Sequence, residues 1–350
     1  MGLNCKMASI FSIRSQFIYD KIINWFPGHM AKGLRVISER LSNVDLIVEA
    51  RDARIPLSSI NNKFEQIAGR KDRIIVYNKA DLADDSVQQP IIDAFKQYRN
   101  QHVIFTNANM DKNVKKIIDF AADKHKQDPS RYPFISVMVV GMPNVGKSSL
   151  INSMRRIGVR KGKAAKTGAL PGVTRSVAVT SIKVLEDPPV YLVDTPGVMI
   201  PHLPDPESSL KVALTGGIRD HLSDEVVMAD YLLWRLNNFG NFGYVENFKL
   251  SGPTDDINFL LPVISKRIGA LQKYGEYDLK TAATFFIKQY RNGKYGKYTL
   301  DDITADSLNN YFVNENNPDK QVSLSKNQEK KLLWNKKREK RLERWKRQGY

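Results

Sequence analysis

One stretch, Gly141–Ser149 (GMPNVGKSS), restricts what this 350-residue chain can fold into more than any other. It follows the apolar run Phe134–Val140, which reads as a strand, and leads into Leu150–Arg156, which reads as a helix. Strand, glycine-framed loop and helix is the context that a phosphate-binding loop requires. Glycines let backbone N–H groups face phosphate oxygens, and the helix amino terminus adds partial positive charge. Asn144, Val145, Gly146, Lys147, Ser148 and Ser149 are the candidate contacts. Lys147 is expected to reach the β- and γ-phosphates, and the Ser148 hydroxyl to ligate Mg²⁺. A glycine-rich turn with no ligand would read the same way, so partner motifs have to decide.

Three partner motifs are present. Asn78-Lys79-Ala80-Asp81 directly follows the strand-like run Arg73–Tyr77. The Asp81 carboxylate can accept two parallel hydrogen bonds from the ring N–H and exocyclic amine of guanine, a donor pair that adenine lacks on that edge. Asn78 and the Lys79 stem would brace the base and the phosphate loop. After a predicted helix (Val87–Tyr98) and a short strand (His102–Phe105), Thr106-Asn107-Ala108-Asn109 stands where a second base-contacting loop is needed. There the Ala108 N–H is expected to face the guanine carbonyl. Beyond the phosphate loop, Thr174 lies in a Lys-, Arg- and Gly-rich stretch and is a candidate Mg²⁺ ligand. A predicted hairpin, Ser176–Leu185 and Val190–Val193, then ends in Asp194-Thr195-Pro196-Gly197. Asp194 would hold Mg²⁺ through water, and the Gly197 N–H would contact the γ-phosphate. The four motifs together point to a guanine nucleotide, GTP or GDP.

Val44–Arg51 reads as a buried strand, and Asn61–Gly69 and Asn113–His125 as helices. The motif set resembles the translation-factor-related GTPases, in their circularly permuted YlqF/RbgA branch. The resemblance covers roughly residues 25–302. It rests on WFPGHMAKG, RDARIP (Arg51–Pro56), NKADL, GMPNVGKSSL, PGVTR and DTPGV, with LTGGIRD (Leu214–Asp220) and QYRNGKYGKYTL (Gln289–Leu300) in support. It implies an α/β fold: a circularly permuted P-loop GTPase domain, with a mixed sheet flanked by helices, followed by a small helical domain. Ordinary GTPases run from phosphate loop to NKxD, whereas here NKAD comes first. The old termini would be joined through Gln127–Pro133 and the chain opened between DTPG and Val44–Arg51, as permutation at a surface allows.

Two departures from ordinary GTPases stand out. Asn107 replaces the usual serine before Ala108, and Val198 occupies the place of the glutamine that orients the attacking water. The resemblance offers two substitutes as catalytic candidates beside Lys147: Asn144, matching a position that coordinates K⁺, and His29, on the new amino-terminal turn. As a structural reading, His29 starts a helix and Asn144 braces its loop.

The net charge of +17 and pI near 9.7 call for a polyanionic partner, nucleic acid before anionic membrane. Cys5 is the only cysteine, which excludes an intrachain disulfide and a cysteine zinc site. Residues 1–22, basic, serine-bearing and with Asp20 as the only acid, look like a mitochondrial transit peptide, a docked amino-terminal segment being the alternative. Residues 23–200 are expected to form the GTPase domain and 201–320 a helical domain. Helical periodicity is read at Ser209–Phe239 and Ala282–Gln289. Residues 321–350 form a basic tail. In it, Lys326–Arg347 carries 11 Lys or Arg against three Glu, with Trp334 and Trp345. Such a helix fits an RNA groove or an anionic bilayer, of which RNA is favoured. With the resemblance, these readings imply a monomeric GTP-hydrolysing switch on the mitochondrial large ribosomal subunit and its rRNA. They place it in the matrix, with peripheral contact to the inner membrane as the tail's other destination.

Overall fold

The computed structural model describes residues 11–21, 23, 35–60, 64, 67–69, 71–160, 181–194, 203 and 205–314. His29, Thr174, Gly197, Val198 and the basic tail lie outside these residues, and of Asp194 only the strand position is described.

Six strands form one sheet: β1 (Leu46–Asp52), β2 (Arg73–Asn78), β3 (His102–Phe105), β4 (Ile135–Gly141), β5 (Ser181–Leu185) and β6 (Val190–Asp194). Their spatial order is β3-β2-β1-β4-β6-β5. All neighbours are parallel except β5, which runs antiparallel to β6 at the edge. Parallel strands need both faces covered, and β1 is accordingly buried at every position. Alternation along the strands divides the core. Val48, Val76, Val137 and Val139 join one cluster, with Ile117, Leu150 and Ile151 from the covering helices. Ile47, Met138 and Val140 turn to the opposite face, against Ile37, Leu41 and Phe64.

Helices α1 (Gln88–Arg99), α2 (Lys115–Gln127) and α3 (Lys147–Val159) flank the sheet. Gly158 lets α3 pass the hairpin, since a Cβ there would lie 1.6 Å from Val184 O. Reading outward from the centre, β1-β2-β3 step one way and β4-β6-β5 the other, so the topology reverses between β1 and β4. Ligands of open α/β sheets bind at the carboxyl ends beside such a reversal. The phosphate loop leaves β4 there and NKAD leaves β2, although NKAD comes first in the chain. That is the sheet of a circularly permuted GTPase.

Past the sheet come α4 (Pro206–Leu214), α5 (Glu225–Asn238), α6 (Gly243–Phe248), α7 (Ile257–Ile268) and α8 (Leu279–Arg291). Asp205, Asp224, Asp256 and Asp278 each accept a backbone N–H at the start of α4, α5, α7 and α8, the favoured N-cap arrangement. Helical periodicity read over Ser209–Phe239 is interrupted after Leu214. Gly217 N donates to Val212 O and Gly216 N to Ala213 O, a Schellman closure that places Gly216 at φ 87°. The sequence reading passed over α6 and α7. The first is six residues long, and the second carries Pro262 in its interior, which ordinarily argues against a helix.

The chain divides into two compact units, residues 1–303 and 304–350. Positions 200 and 201 both fall in the first unit. Of the second unit the described part is α9 (Ala305–Asn314). Among the described residues no helix is long and apolar enough to cross a membrane.

Candidate nucleotide-binding site

Gly141 closes β4 because its neighbour allows no side chain: a Cβ would stand 2.1 Å from Ala50 O on β1. Gly146, at φ 96°, ends the phosphate loop for the same kind of reason, since a Cβ would meet Asn78 Nδ2 at 2.2 Å. That close approach is used. Asn78 Nδ2 donates to Val145 O at 3.0 Å, while Asn78 Oδ1 accepts from Thr106 Oγ1 at 3.2 Å and from Ala108 N at 3.1 Å. One buried amide thus pins the phosphate loop, NKAD and the TNAN loop to each other. Ala80 N adds a bond to Thr106 O at 3.0 Å. The Ala108 N–H, expected on the guanine carbonyl, is here engaged by Asn78.

Asn107 has its own task. Its Oδ1 accepts from Asn109 N at 3.0 Å and Met110 N at 3.2 Å, an Asx turn that shapes the loop. Asp81 sits in the following helical turn with an exposed side chain.

Lys79 adopts φ 61° and sends its Nζ to Asp52 Oδ2 at 2.9 Å. Asp52, the last residue of β1, also takes Arg54 Nε at 2.9 Å and Arg54 Nη2 at 2.8 Å. Burial works to raise the Asp52 pKa, but Arg54 and Lys79 outweigh it and hold the carboxyl well below the usual range. Lys79 is held below its ordinary value, by burial first; Arg54 acts the same way and Asp52 opposes.

Lys147, at the start of α3, is buried and donates to Met142 O at 2.9 Å, within its own loop. Ser148 is half-buried beside it. Asp194 pairs with Val139 in the β4–β6 register, so the strand end that carries it adjoins the strand that launches the phosphate loop. A hydroxyl and a carboxylate are hard oxygen donors, and they suit Mg²⁺ completed by phosphate oxygens and water.

Asn144, at φ 59°, donates its Nδ2 to Gly216 O at 2.8 Å. This bond belongs to a larger clasp on the end of α4. Arg54 Nη2 reaches Thr215 O at 3.3 Å, Arg291 Nε reaches Leu214 O at 2.8 Å, and Arg291 Nη2 reaches Ala213 O at 2.8 Å. Four successive carbonyls around this helix end, Ala213 to Gly216, thus accept from the phosphate loop, from RDARIP and from α8. Arg291 is itself held by Asp220 through two bonds, 3.0 and 2.6 Å. These roles explain RDARIP, LTGGIRD and QYRNGKYGKYTL, whose residues carry no chemistry recognisable from sequence. Their signal in the sequence is the family resemblance that they help to carry.

Comparison with known proteins agrees with this geometry. The family profile described as "50S ribosome-binding GTPase" matches residues 136–237, starting at the strand before the phosphate loop and leaving NKAD outside. Mitochondrial ribosome-associated GTPase 1 of Mus musculus is 41% identical over 80% of this chain and 90% of its own length. The Xenopus tropicalis protein of that name is 42% identical over 83% and 98%. Mitochondrial GTPase 1 of Aedes aegypti is 39% identical over 85% and 99%. Among solved structures, GNP-bound YlqF from T. maritima superposes with a TM-score of 0.51 at 22% identity, over 78% of this chain and 98% of that one. The chain belongs to the mitochondrial ribosome-associated GTPase 1 family of circularly permuted, GTP-hydrolysing proteins.

Proposed function

We propose that this GTPase is a switch in assembly of the mitochondrial large ribosomal subunit, binding rRNA in a nucleotide-dependent way in the matrix. The observation that carries the reading is the Asn144–Gly216 bond. It ties the loop expected to hold the phosphates to the helices that follow, so a change in the loop can be felt beyond the sheet. Relatives at about 40% identity bear the words "mitochondrial ribosome-associated" in their names. The proposed organisation is a GTPase domain over residues 23–200, a helical domain over 201–320 and a basic tail over 321–350, acting as a monomer. Multiple-turnover hydrolysis with purified large-subunit intermediates tests it. A rate raised at least tenfold is expected, and an unchanged rate overturns the switch.

Val198, after DTPG, cannot hydrogen-bond water, which favours slow turnover by the isolated protein. Mg²⁺ held by Ser148, Thr174 and, through water, Asp194 would neutralise phosphate charge, and K⁺ at Asn144 would add more. K⁺ would take the Asn144 Oδ1, while Nδ2 keeps its bond to Gly216 O. K⁺ but not Na⁺ should therefore raise hydrolysis, and Asn144→Ala should abolish the difference, as read by phosphate release in the two salts. His29→Ala should keep nucleotide affinity and lose most of the ribosome-stimulated rate.

The tail reading rests on charge. If Lys326–Arg347 meets rRNA phosphates, ribosome affinity should fall steeply with salt, and truncation after Ser325 should flatten that slope while leaving GTP affinity alone. An unaltered slope would send the tail to the inner membrane, with vesicle flotation as the readout.

A further inference from the structure

The amino-terminal segment read as part of a removable leader is bound into the fold. Arg14 lies at the centre of this contact. Its backbone N–H donates to Asp255 Oδ2 at 2.8 Å and its Nε to the same oxygen at 2.9 Å. Its Nη2 reaches Asp230 Oδ1 at 2.7 Å and Asp255 Oδ1 at 3.3 Å, and its Nη1 reaches Asp230 Oδ2 at 3.0 Å. Its carbonyl accepts from Trp234 Nε1 at 2.9 Å. A guanidinium that satisfies two carboxylates from different parts of the helical region has fixed geometry and direction.

Residues on either side continue the contact. Phe17 packs edge-on to Tyr231 with ring centroids 5.3 Å apart, and lies 5.9 Å from Trp234. Phe11 meets Phe242 at 5.7 Å. Ile23 is 8% exposed, belongs to the main core and donates its N–H towards Ser209 Oγ at 3.4 Å. The strap therefore crosses α5 and α4 and ends at Ile23, two residues before Trp25, where WFPGHMAKG begins in the sequence.

Removing the strap would leave the Asp255 side chain, 9% exposed when paired, without its cation, and would uncover Tyr231 and Trp234. Asp255 would keep the Asn237 amide at 3.2 Å, and a buried carboxylate that loses its cation is strongly destabilising. A cleaved leader has the opposite requirement, because it must leave without disturbing the fold.

We propose that residues 14–21, with Ile23, are a permanent strap of the mature protein, and that proteolytic processing of the amino terminus takes place on the N-terminal side of Arg14. The strap is then a built-in brace on the helical region.

Two measurements test it. The protein is isolated from its own cells through a carboxyl-terminal tag and its amino terminus is read by Edman degradation or intact mass. A first residue at Arg14 or earlier is expected, whatever the compartment; a first residue at Ser15 or later overturns the proposal. Independently, Arg14→Ala in the full chain should lower Tm by about 5–10 °C, and Arg14→Lys should recover part of the loss. An Arg14→Ala protein with unchanged Tm would show that the contact braces nothing. Because neither readout involves nucleotide or ribosome, their failure is separable from failure of the proposed switch.

Discussion

Asp81→Asn is expected to lower GTP affinity by about 10²–10⁴-fold while conferring affinity for XTP. Two hydrogen bonds from a guanine edge to a carboxylate are charge-assisted, and each is worth roughly 1.5–3 kcal/mol. Losing both gives about 3–6 kcal/mol, which converts to that range. Asparagine keeps the shape but replaces one acceptor oxygen with a donor, which suits the extra carbonyl of xanthine. The surroundings make the change a clean one. Asp81 is exposed, while the turn that carries it is fixed through Ala80 N to Thr106 O and through Asn78 to the two neighbouring loops, so the fold should be indifferent. Titration with fluorescent GDP and competition by GTP and XTP read the result. Wild-type GTP affinity in the variant would remove NKAD from the base site.

Legibility of the chain followed a physical division. Phosphate and base loops were readable because backbone geometry dictates their composition: Gly141 and Gly146 stand where a Cβ would strike Ala50 O or Asn78 Nδ2. Strands were readable because a parallel sheet covered on both faces demands unbroken apolar runs, as in Leu46–Val48 and Ile74–Val76. Residues that work only across large sequence distances were not. Asn144 meets Gly216, 72 positions away, and Arg291 meets Leu214, 77 positions away. Composition and periodicity carry no record of such pairs. Arg14 was counted as a leader charge for the same reason, since Asp230 and Asp255 lie more than 200 positions downstream. RDARIP is visible in the sequence, but the bond that gives Asp52 its role depends on Lys79 at φ 61°, a backbone choice unusual for lysine.

Asp52→Asn should be the most destabilising single change in the site, by about 3–5 kcal/mol. The carboxylate is 2% exposed and neutralises two cations, one of them Arg54, itself 1% exposed. Asparagine can accept one of their hydrogen bonds but supplies no charge, so Arg54 would be left buried and uncompensated. Arg54 also spans to Thr215 O and accepts Leu300 N on its carbonyl at 2.7 Å, so the loss extends to the end of α4 and the segment after α8. Lys79, released from Asp52, should hold the base less firmly, and GDP affinity should fall along with stability. The pH dependence identifies the cause. Asp52 is held below its unfolded pKa of about 3.9, so its contribution is complete above that value and is lost as pH falls towards the depressed folded pKa. The stability gap between wild type and Asp52→Asn should therefore stay constant from about pH 5 to 8 and shrink below about pH 4, as measured by urea unfolding at each pH. A gap of equal size at pH 3 and pH 7 would mean that the carboxylate's charge is not what holds Arg54 and Lys79 in place.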